Sequence, residues 1–429
     1  MILRSALCSF LFLLCACQQD SESVSTEAVP AGSDAVAFVN VSLWDGTGAP
    51  VRKDSTLVVA DGRIVSVSST QAPAGAAIVD LDGAFVMPGL INTHGHVTAN
   101  WAPASLTDPV DRVRAGLVLY ARYGVTTVLS LGGAPDAGFA LRDRVDPAEP
   151  GHARFYLAGP VVAQDSAVAA RAQAEANVSR GVDWLKLRVD DNLGRTVKMP
   201  WDAVQAVIDV GNESGVPVAT HLFYLADAMR LLDMGSGMIA HSVRDVAIDR
   251  TFVDALDEAG VCYVPTLTRE VSTFVYAETP DFFADDFFRR YAGEEQMARV
   301  TNAEFQQNMA TSEIAAGYRL ALTQALENLD SAANAGAKIA LGTDSGPPGR
   351  FPGYFEHLEL EMMVDAGMTP EDALRSATGI AAECAGLSDV GTLTPGKWAD
   401  FLVMAEDPTR NITATKTLQR VFLAGRELR

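Results

Sequence analysis

Basic residues are scarce in this chain. Of its 429 residues only 33 are lysine or arginine, against 54 aspartates and glutamates, and the formal net charge is -21 at pH 7. Nucleic acids and anionic lipid surfaces repel a protein of this sign, because both are negatively charged. The composition therefore argues against nucleic-acid binding, and any membrane attachment has to come from acyl chains rather than from a basic patch.

Cysteines and long hydrophobic runs are also few. Five cysteines occur, and the two outside the N-terminal region, Cys262 and Cys384, lie far apart. This usage predicts no disulfide framework, and the apolar surroundings of Cys262 predict a buried thiol. The N-terminal apolar run, 6–14, follows the single charge of Arg4 and is too short to span a bilayer, which is typical of a cleavable signal.

The end of that run resembles a bacterial lipobox. The tetrapeptide Leu-Cys-Ala-Cys at 14–17 is followed at once by a polar stretch. Residues 1–16 are therefore predicted to be a lipoprotein signal peptide, Cys17 the lipidated N-terminus, and 17–35 a flexible tether. We expect a bacterial membrane-anchored lipoprotein outside the cytoplasm, facing the periplasm, whose membrane contact is the lipidated N-terminus alone. An ordinary secretory signal with a chance cysteine is the alternative.

The hydrophobic content of 48% is enough for one large core and a smaller module. Residues 36–87 and 389–429 alternate apolar and polar positions, and the first of these regions contains Asp-Gly turns, so we predict a small β-sandwich formed by both chain ends. The segment between them, 88–388, alternates short apolar runs with longer stretches of helical period, as repeated βα units do.

Eight short runs in this middle segment and at its start are candidate strands. They are 85–93, 125–131, 154–158, 184–189, 217–220, 237–240, 261–266 and 338–343. Eight is the number that a closed (β/α)8 barrel of the TIM type requires, so the predicted fold class is α/β with such a barrel. An open doubly wound sheet is the alternative, and the lack of a glycine-rich phosphate loop after the first strand weakens it.

Histidine is rare too, and its placement is informative. Only six histidines occur, and His94, His96, His221 and His241 follow candidate strands 1, 5 and 6. Barrel enzymes carry their chemistry at that end of the strands. His94 and His96 are separated by one residue, so both rings can point to one face and chelate one ion. Asp344 ends strand 8, beside strand 1 in a closed barrel, although an N-cap or turn aspartate would have the same local sequence.

Lys186 poses a chemical problem. It lies in the apolar strand Trp184-Leu185-Lys186-Leu187-Arg188, where its side chain should point inward. A buried ammonium beside a metal ion would be repelled by it, so this lysine requires a chemical explanation.

Together these residues resemble the metal-ligand set of the amidohydrolase superfamily. The set comprises His94, His96, Lys186, His221, His241 and Asp344. The resemblance extends over 36–429, since 88–94 and 391–400 are also similar to members of this superfamily. Its nearest branch is the one that contains imidazolonepropionase-like proteins and Xaa-Pro or Xaa-Arg dipeptidases.

The resemblance implies a cofactor of two divalent metal ions, zinc being the expected element. The first would be held by His94, His96 and Asp344, and the second by His221 and His241. It also implies that Lys186 is carbamylated by carbon dioxide, which turns its amine into a carboxylate that bridges both ions.

The activity so implied is that of a metal-dependent hydrolase that cleaves an amide-type C–N bond of a small-molecule substrate: a dipeptide, an N-acyl amino acid or a cyclic amide. A metal-bridging hydroxide would be the nucleophile, and Asp344 would be the catalytic proton acceptor and donor. Hydrolysis of a lactone, carbamate or phosphoester at the same site remains open, as does a lipoprotein that binds solute or metal without turnover. A homo-oligomer is compatible with the sequence.

Three residues are candidates for substrate binding. Arg188, two positions after Lys186, can reach a substrate carboxylate from the same strand face, and a structural ion pair at the barrel rim is its alternative. Tyr224 resembles a tyrosine that polarises substrate in related dipeptidases, and aromatic packing is its alternative. His357 matches a loop position near substrate in relatives.

We interpret Arg244-Asp245 as a surface pair and His152 as solvent-facing. The aromatic-rich segment 269–300 fits a substrate lid, a dimer contact or an extra helix packed on the barrel.

Overall fold

In the computed structural model, residues 35–69 and 72–429 are described. The predicted signal peptide, Cys17 and the tether up to residue 34 lie outside the described residues. Within the described ranges, no helix has both the length and the apolar character that crossing a membrane requires.

The strands, in chain order, are β1 (Val36–Leu43), β2 (Arg52–Ala60), β3 (Arg63–Ser68), β4 (Ala77–Asp80), β5 (Phe85–Pro88), β6 (Leu90–Gly95), β7 (Val125–Ser130), β8 (Arg154–Leu157), β9 (Leu185–Arg188), β10 (Val218–His221), β11 (Met238–Ala240), β12 (Cys262–Val264), β13 (Phe401–Met404), β14 (Leu418–Leu423) and β15 (Arg426–Glu427).

The helices are α1 (Pro109–Arg122), α2 (Asp136–Arg142), α3 (Ala167–Ser179), α4 (Trp201–Ser214), α5 (Leu225–Met234), α6 (Arg250–Ala259), α7 (Leu267–Val271), α8 (Asp286–Arg289), α9 (Glu294–Val300), α10 (Ala303–Ala310), α11 (Glu313–Asn334), α12 (Tyr354–Asp365), α13 (Pro370–Ser376) and α14 (Gly379–Cys384). Short 3-10 turns occupy Val275–Ala277, Asp281–Ala284 and Ile412–Thr417.

Both chain ends contribute to one β-sheet. Its order is β15-β14-β13-β5-β1-β2-β3, with β4 paired to β1. The sheet curls over its own core, because Ile64 in β3 exchanges backbone hydrogen bonds of 2.8 and 2.9 Å with Gly396 and Lys397, just before β13. The predicted joining of the two ends is present, although their strands hydrogen-bond into one curled sheet.

The middle of the chain forms a barrel-like arrangement of parallel strands. β6-β7-β8 and β9-β10-β11-β12 are two parallel sheets, and Val162 links them by hydrogen bonds of 2.8 and 3.1 Å to Lys186 and Arg188. The eighth predicted strand, 338–343, is joined to β12 by a parallel bridge between Tyr263 and Ile339. Its other side bonds to β6, where backbone distances are 2.9 and 3.1 Å.

The first predicted strand, 85–93, is in fact two strands. β5 belongs to the terminal sheet and β6 to the barrel-like part. Between them, Gly89 packs so closely on Thr126 that an added Cβ atom would lie 2.0 Å from the threonine hydroxyl. The apolar run is continuous in the sequence, but the chain passes from one sheet to the other at Gly89.

Local sequence explains where several helices begin and end. Asp108 caps α1 by accepting hydrogen bonds from the backbone of Val110 and Asp111, and Pro109 occupies the first turn. α4 ends at Gly215, whose φ of 70° is the left-handed conformation that glycine adopts without strain.

The prediction that the two distant cysteines are unpaired is wrong. Cys262 at the start of β12 and Cys384 at the end of α14 form a disulfide across 122 positions, with their Cα atoms 5.8 Å apart. The spacing in the sequence gave no hint of this, because their proximity arises only when the last helix folds back under the strands.

Two other surface assignments are also wrong. Arg244 is 2% exposed and His152 is 1% exposed. The Arg244 guanidinium lies over the ring of Phe223 and 3.2 Å from Glu270, and His152 hydrogen-bonds the carbonyl of Ala153. Both side chains are polar, which favoured an exposed position in the sequence interpretation, but both are buried and each has a partner nearby.

The aromatic-rich segment 269–300 packs on the body of the protein. Phe287, Phe288 and Tyr276 are almost fully buried. The ring of Phe288 lies 4.9 Å from those of both Phe351 and Tyr354, the latter in α12. Among the three interpretations, packing on the barrel is the one that this arrangement supports.

Candidate metal centre

Three predicted ligands converge where β6 meets the residues after the eighth segment. The ligand atoms of His94, His96 and Asp344 all lie within 4.8 Å of one another. Asp344 Oδ1 is 2.5 Å from His96 Nε2 and 3.7 Å from His94 Nε2. The neighbouring Gly346, with φ of 113°, allows this approach, since a Cβ atom there would lie 2.2 Å from the His96 carbonyl oxygen.

The other predicted ligands continue this cluster. Lys186 Nζ lies 3.4 Å from His94 Nε2. The ring of His241 is 4.5 Å from that of His94 and 4.2 Å from that of His221, measured between centroids. The sequence-predicted ligands from five strands are thus brought side by side.

Burial sets the charge of these groups. It lowers the pKa of Lys186 to about 7 and that of His221 to about 3. Burial, together with neighbouring Lys186 for His94 and His221 for His241, holds the pKa of both of these histidines well below its usual range. The imidazoles of His94, His221 and His241 are therefore neutral at pH 7, which is the form that binds metals.

Asp344 stays ionised for a different reason. Burial raises its pKa, but Arg350 and a hydrogen bond with His96 outweigh that effect and hold the pKa well below its usual range. The Arg350 guanidinium bonds to Asp344 Oδ2, and Arg269 Nε is 4.0 Å from the same oxygen. One carboxylate oxygen thus faces the histidines and the other faces two arginines.

Sequence reasoning missed several residues around this cluster. Arg269 and Arg350 lie in irregular or short helical segments without a repeating pattern, and Asp190 follows β9 by two positions. Asp190 Oδ2 is 3.0 Å from His221 Nε2. A carboxylate placed just after the lysine strand was the one signal that could have identified Asp190.

Arg188 and Tyr224 lie beside a cleft next to the cluster. Arg188, whose side chain is 43% exposed, lines a cavity of about 300 Å³ together with Asp190 and Lys198. The Tyr224 hydroxyl donates to Asp191 at 2.9 Å, and Lys198 Nζ lies 3.9 Å from the centre of its ring. Both residues are therefore at an accessible edge near His221.

His357 is not at that edge, and its prediction as a substrate contact needs correction. It is fully buried, and its two ring nitrogens contact the Thr415 hydroxyl at 2.9 Å and the Tyr123 carbonyl at 2.7 Å. The residue lies on the face of α12 that packs against Phe287 rather than on the face toward the cluster. Both ring nitrogens are engaged in these hydrogen bonds, so neither is available to bind a substrate.

The donor set fits a divalent metal. His96 Nδ1 must donate to the Gly132 carbonyl at 2.8 Å, which leaves Nε2, 2.5 Å from Asp344 Oδ1, as the ring atom available to a metal. His241 Nδ1 is oriented in the same way by Thr266 at 2.7 Å, which directs Nε2 into the cluster. His94 Nδ1 is buried and has no hydrogen-bond partner among the described residues.

Comparison with known proteins agrees with this geometry. Residues 85–428 match the model of the amidohydrolase family. The chain is 27% identical over 388 residues to imidazolonepropionase from Deinococcus radiodurans, covering 88% of this chain and 92% of that protein.

Among solved structures, the crystal structure of a putative prolidase from Bifidobacterium longum superimposes with a TM-score of 0.75 at 24% identity, over 92% of this chain and 94% of that one. A Xaa-Pro dipeptidase with methionine bound in its active site gives a TM-score of 0.71 at 20% identity, over 92% and 99%. These likenesses support a TIM-barrel-like fold with an accompanying β-domain, and with the family match they establish that this chain is a member of the amidohydrolase family.

Proposed function

We propose that this hydrolase cleaves an amide-type C–N bond of a small molecule and depends on two divalent metal ions, zinc being the expected element. The observation that carries the proposal is the convergence of four histidines, three of them held neutral by burial, and an ionised aspartate around one buried lysine. Metal-binding side chains with strongly perturbed pKa values that converge in this way mark a candidate functional site.

His94, His96 and Asp344 would hold the first metal, and His221 and His241 the second. When bound, divalent ions supply Lewis-acid chemistry, because they lower the pKa of water and polarise a carbonyl group. The protein's part is to present neutral imidazoles, exclude bulk water and move protons.

Lys186, as a carbamate, would be a ligand shared by the two metal sites. Its buried Nζ, with a pKa of about 7, is neutral in a large fraction of molecules at neutral pH. The nitrogen lone pair of the neutral amine attacks carbon dioxide, an N–C bond forms, and one proton leaves the nitrogen for solvent. This reaction replaces a cation by an anion, and among the described residues no carboxylate lies within ion-pair distance of Nζ to neutralise the unmodified ammonium.

Asp344 would be the catalytic proton carrier. Arg350 keeps its carboxylate ionised, which is the form that accepts a proton from the attacking water. The protonated Asp344 carboxyl group would then return the proton to the leaving nitrogen. Proton transfer of this kind contributes on the order of 10²- to 10⁴-fold to the rate.

Arg188 and Tyr224 are the proposed substrate contacts. The exposed Arg188 guanidinium can bind a substrate carboxylate with two hydrogen bonds, which favours a dipeptide or an N-acyl amino acid. Tyr224, held by Asp191, presents its ring and hydroxyl at the same edge.

We further propose that the protein acts outside the cytoplasm, anchored through Cys17. The Cys262–Cys384 disulfide supports this location, because such bonds persist in oxidising compartments.

The activity is tested with purified protein supplied with Zn²⁺ and bicarbonate and assayed on dipeptides, N-acyl amino acids and cyclic amides. We expect hydrolysis that chelation abolishes and that Asp344→Asn lowers by at least about 10²-fold. Asp372→Asn, at an exposed position, is the matched control and should retain full activity. Hydrolysis of lactones, carbamates or phosphoesters alone would contradict the proposed amide substrate and identify one of these bonds as the target. Zinc binding without any turnover would indicate a binding protein.

A further inference from the structure

Helix α12 carries two buried carboxylates that the proposed chemistry does not use. Glu356 and Glu359 are both fully buried. Being three positions apart, they lie on the same face of the helix, and that face looks toward the metal centre rather than toward the packing of His357.

Glu356 connects the two segments that provide the first-metal ligands. Its Oε1 accepts hydrogen bonds from Ser345 at 2.6 Å, Thr343 at 2.8 Å and the Asn92 amide at 2.5 Å. The carbonyl oxygen of the Asn92 side chain accepts from the backbone N–H of His94 at 2.9 Å. One carboxylate oxygen thus links the backbone of His94 in β6 to both neighbours of Asp344.

This link acts on a strained residue. Asp344 has a φ of 56°, in the left-handed region that side chains other than glycine rarely adopt. A conformation of this kind persists only when its surroundings over-determine it. The hydroxyl groups on either side of Asp344 are both bound to Glu356, so this carboxylate holds the aspartate in the conformation that faces the histidines.

Glu359 supports the residues around His241, a proposed ligand of the second metal. Thr266 also has a left-handed φ, of 53°, and its hydroxyl contacts His241 Nδ1 at 2.7 Å. That hydroxyl is therefore engaged and does not cap α7, which starts at the next residue. Glu359 supplies the missing cap, accepting from the backbone of Leu267 and Thr268 at 2.6 and 2.7 Å and from the Thr268 hydroxyl at 2.7 Å.

We propose that Glu356 and Glu359 are positioning residues that form a two-carboxylate brace for the binuclear centre. Glu356 orients His94 and Asp344, and Glu359 orients His241 through Thr266. The inference rests on the proposed function in that the cluster binds two metal ions, and it adds that one helix outside the ligand set determines the metal affinity of both sites.

The experiment measures binding of Zn²⁺ alone, by competition with a chromophoric chelator, together with the absorption spectrum of the Co²⁺-substituted protein. We expect Glu356→Ala and Glu359→Ala to weaken metal binding by about 10- to 100-fold, each at one of the two sites, and to change the Co²⁺ spectrum. Glu356→Gln keeps an acceptor oxygen and should restore most of the affinity.

The matched control is His357→Gln, which perturbs an equally buried polar residue on a different face of α12. It should lower the melting temperature while leaving zinc affinity and the Co²⁺ spectrum unchanged. If either alanine variant does not fold, Ser345→Ala and Thr268→Val each remove one hydroxyl donor to the brace, and both should weaken zinc binding by about fivefold.

Two negative results are distinct. If the wild-type protein binds no zinc, both the proposed function and the two-carboxylate brace are refuted. If the wild type binds zinc and the brace variants bind it as tightly, merely losing stability as His357→Gln does, the brace alone is refuted.

Discussion

Removing the disulfide between Cys262 and Cys384 should destabilise the protein to a degree that can be estimated. The bond closes a loop across 122 positions. In the chain-entropy model a loop of this size confers about 5 kcal/mol at 25 °C, and measured losses range from about 2 to 5 kcal/mol. With an unfolding entropy of about 2.1 cal/mol/K per residue, 5 kcal/mol corresponds to a melting temperature lower by about 6 °C.

The assay compares oxidised wild type with Cys262→Ala/Cys384→Ala by differential scanning calorimetry, and counts free thiols in the unfolded, unreduced protein. We expect neither of these two cysteines to react with a thiol reagent until a reductant is added. Two reactive thiols in protein purified from an oxidising compartment, or a double variant as stable as the wild type, would refute the reasoning. Cys262→Ala alone, which leaves Cys384 without its partner, should lose the same stability as the double variant.

Other consequences concern buried charges. Arg154 makes two hydrogen bonds to Asp400, at 2.6 and 3.1 Å, and both side chains are buried. Arg154→Met, which leaves Asp400 without this partner, should cost about 3–5 kcal/mol of unfolding free energy in urea titration, whereas Arg171→Met, in an exposed pair, should cost less than about 1 kcal/mol. Burial lowers the pKa of His357 from 6.5 to about 4, so the unfolded chain binds the proton more tightly. Stability should be complete above pH 6.5 and fall by about 3 kcal/mol as the pH drops to 4, a loss that His357→Gln should not show in melting curves.

The residues of the candidate metal centre could be predicted to lie together because each carries a local signal. His94, His221 and His241 directly follow or end short apolar runs, and Lys186 interrupts one. In a parallel βα arrangement the ends of all strands meet at one face, so the order of runs along the chain already places these side chains together. Asp344 was found by the same reasoning, through the closure of the eighth segment on the first.

The residues that orient those ligands could not be predicted in this way. Glu356 and Glu359 are ordinary helix formers in a helical stretch, and only the packing of α12 reveals that they point inward. His357 was misplaced for the same reason, since one step along a helix turns a side chain by about 100°. The sequence pattern defines a helix but does not define which of its polar faces is buried.

Long-range contacts account for the other errors. The disulfide joins residues whose separation carries no framework pattern, and the break at Gly89 lies within an uninterrupted apolar run. Arg350 reaches Asp344 from an irregular loop, where no periodicity is available to predict direction.

The most direct test of the account is the metal content of purified protein, measured by plasma mass spectrometry after dialysis with Zn²⁺ and bicarbonate, for wild type, Lys186→Ala and the exposed control Lys338→Ala. The account predicts two zinc ions per chain in the wild type and in the control, and a loss of at least one in Lys186→Ala. Equal zinc in all three proteins, or none in any of them, would contradict the claim that a modified Lys186 joins two metals.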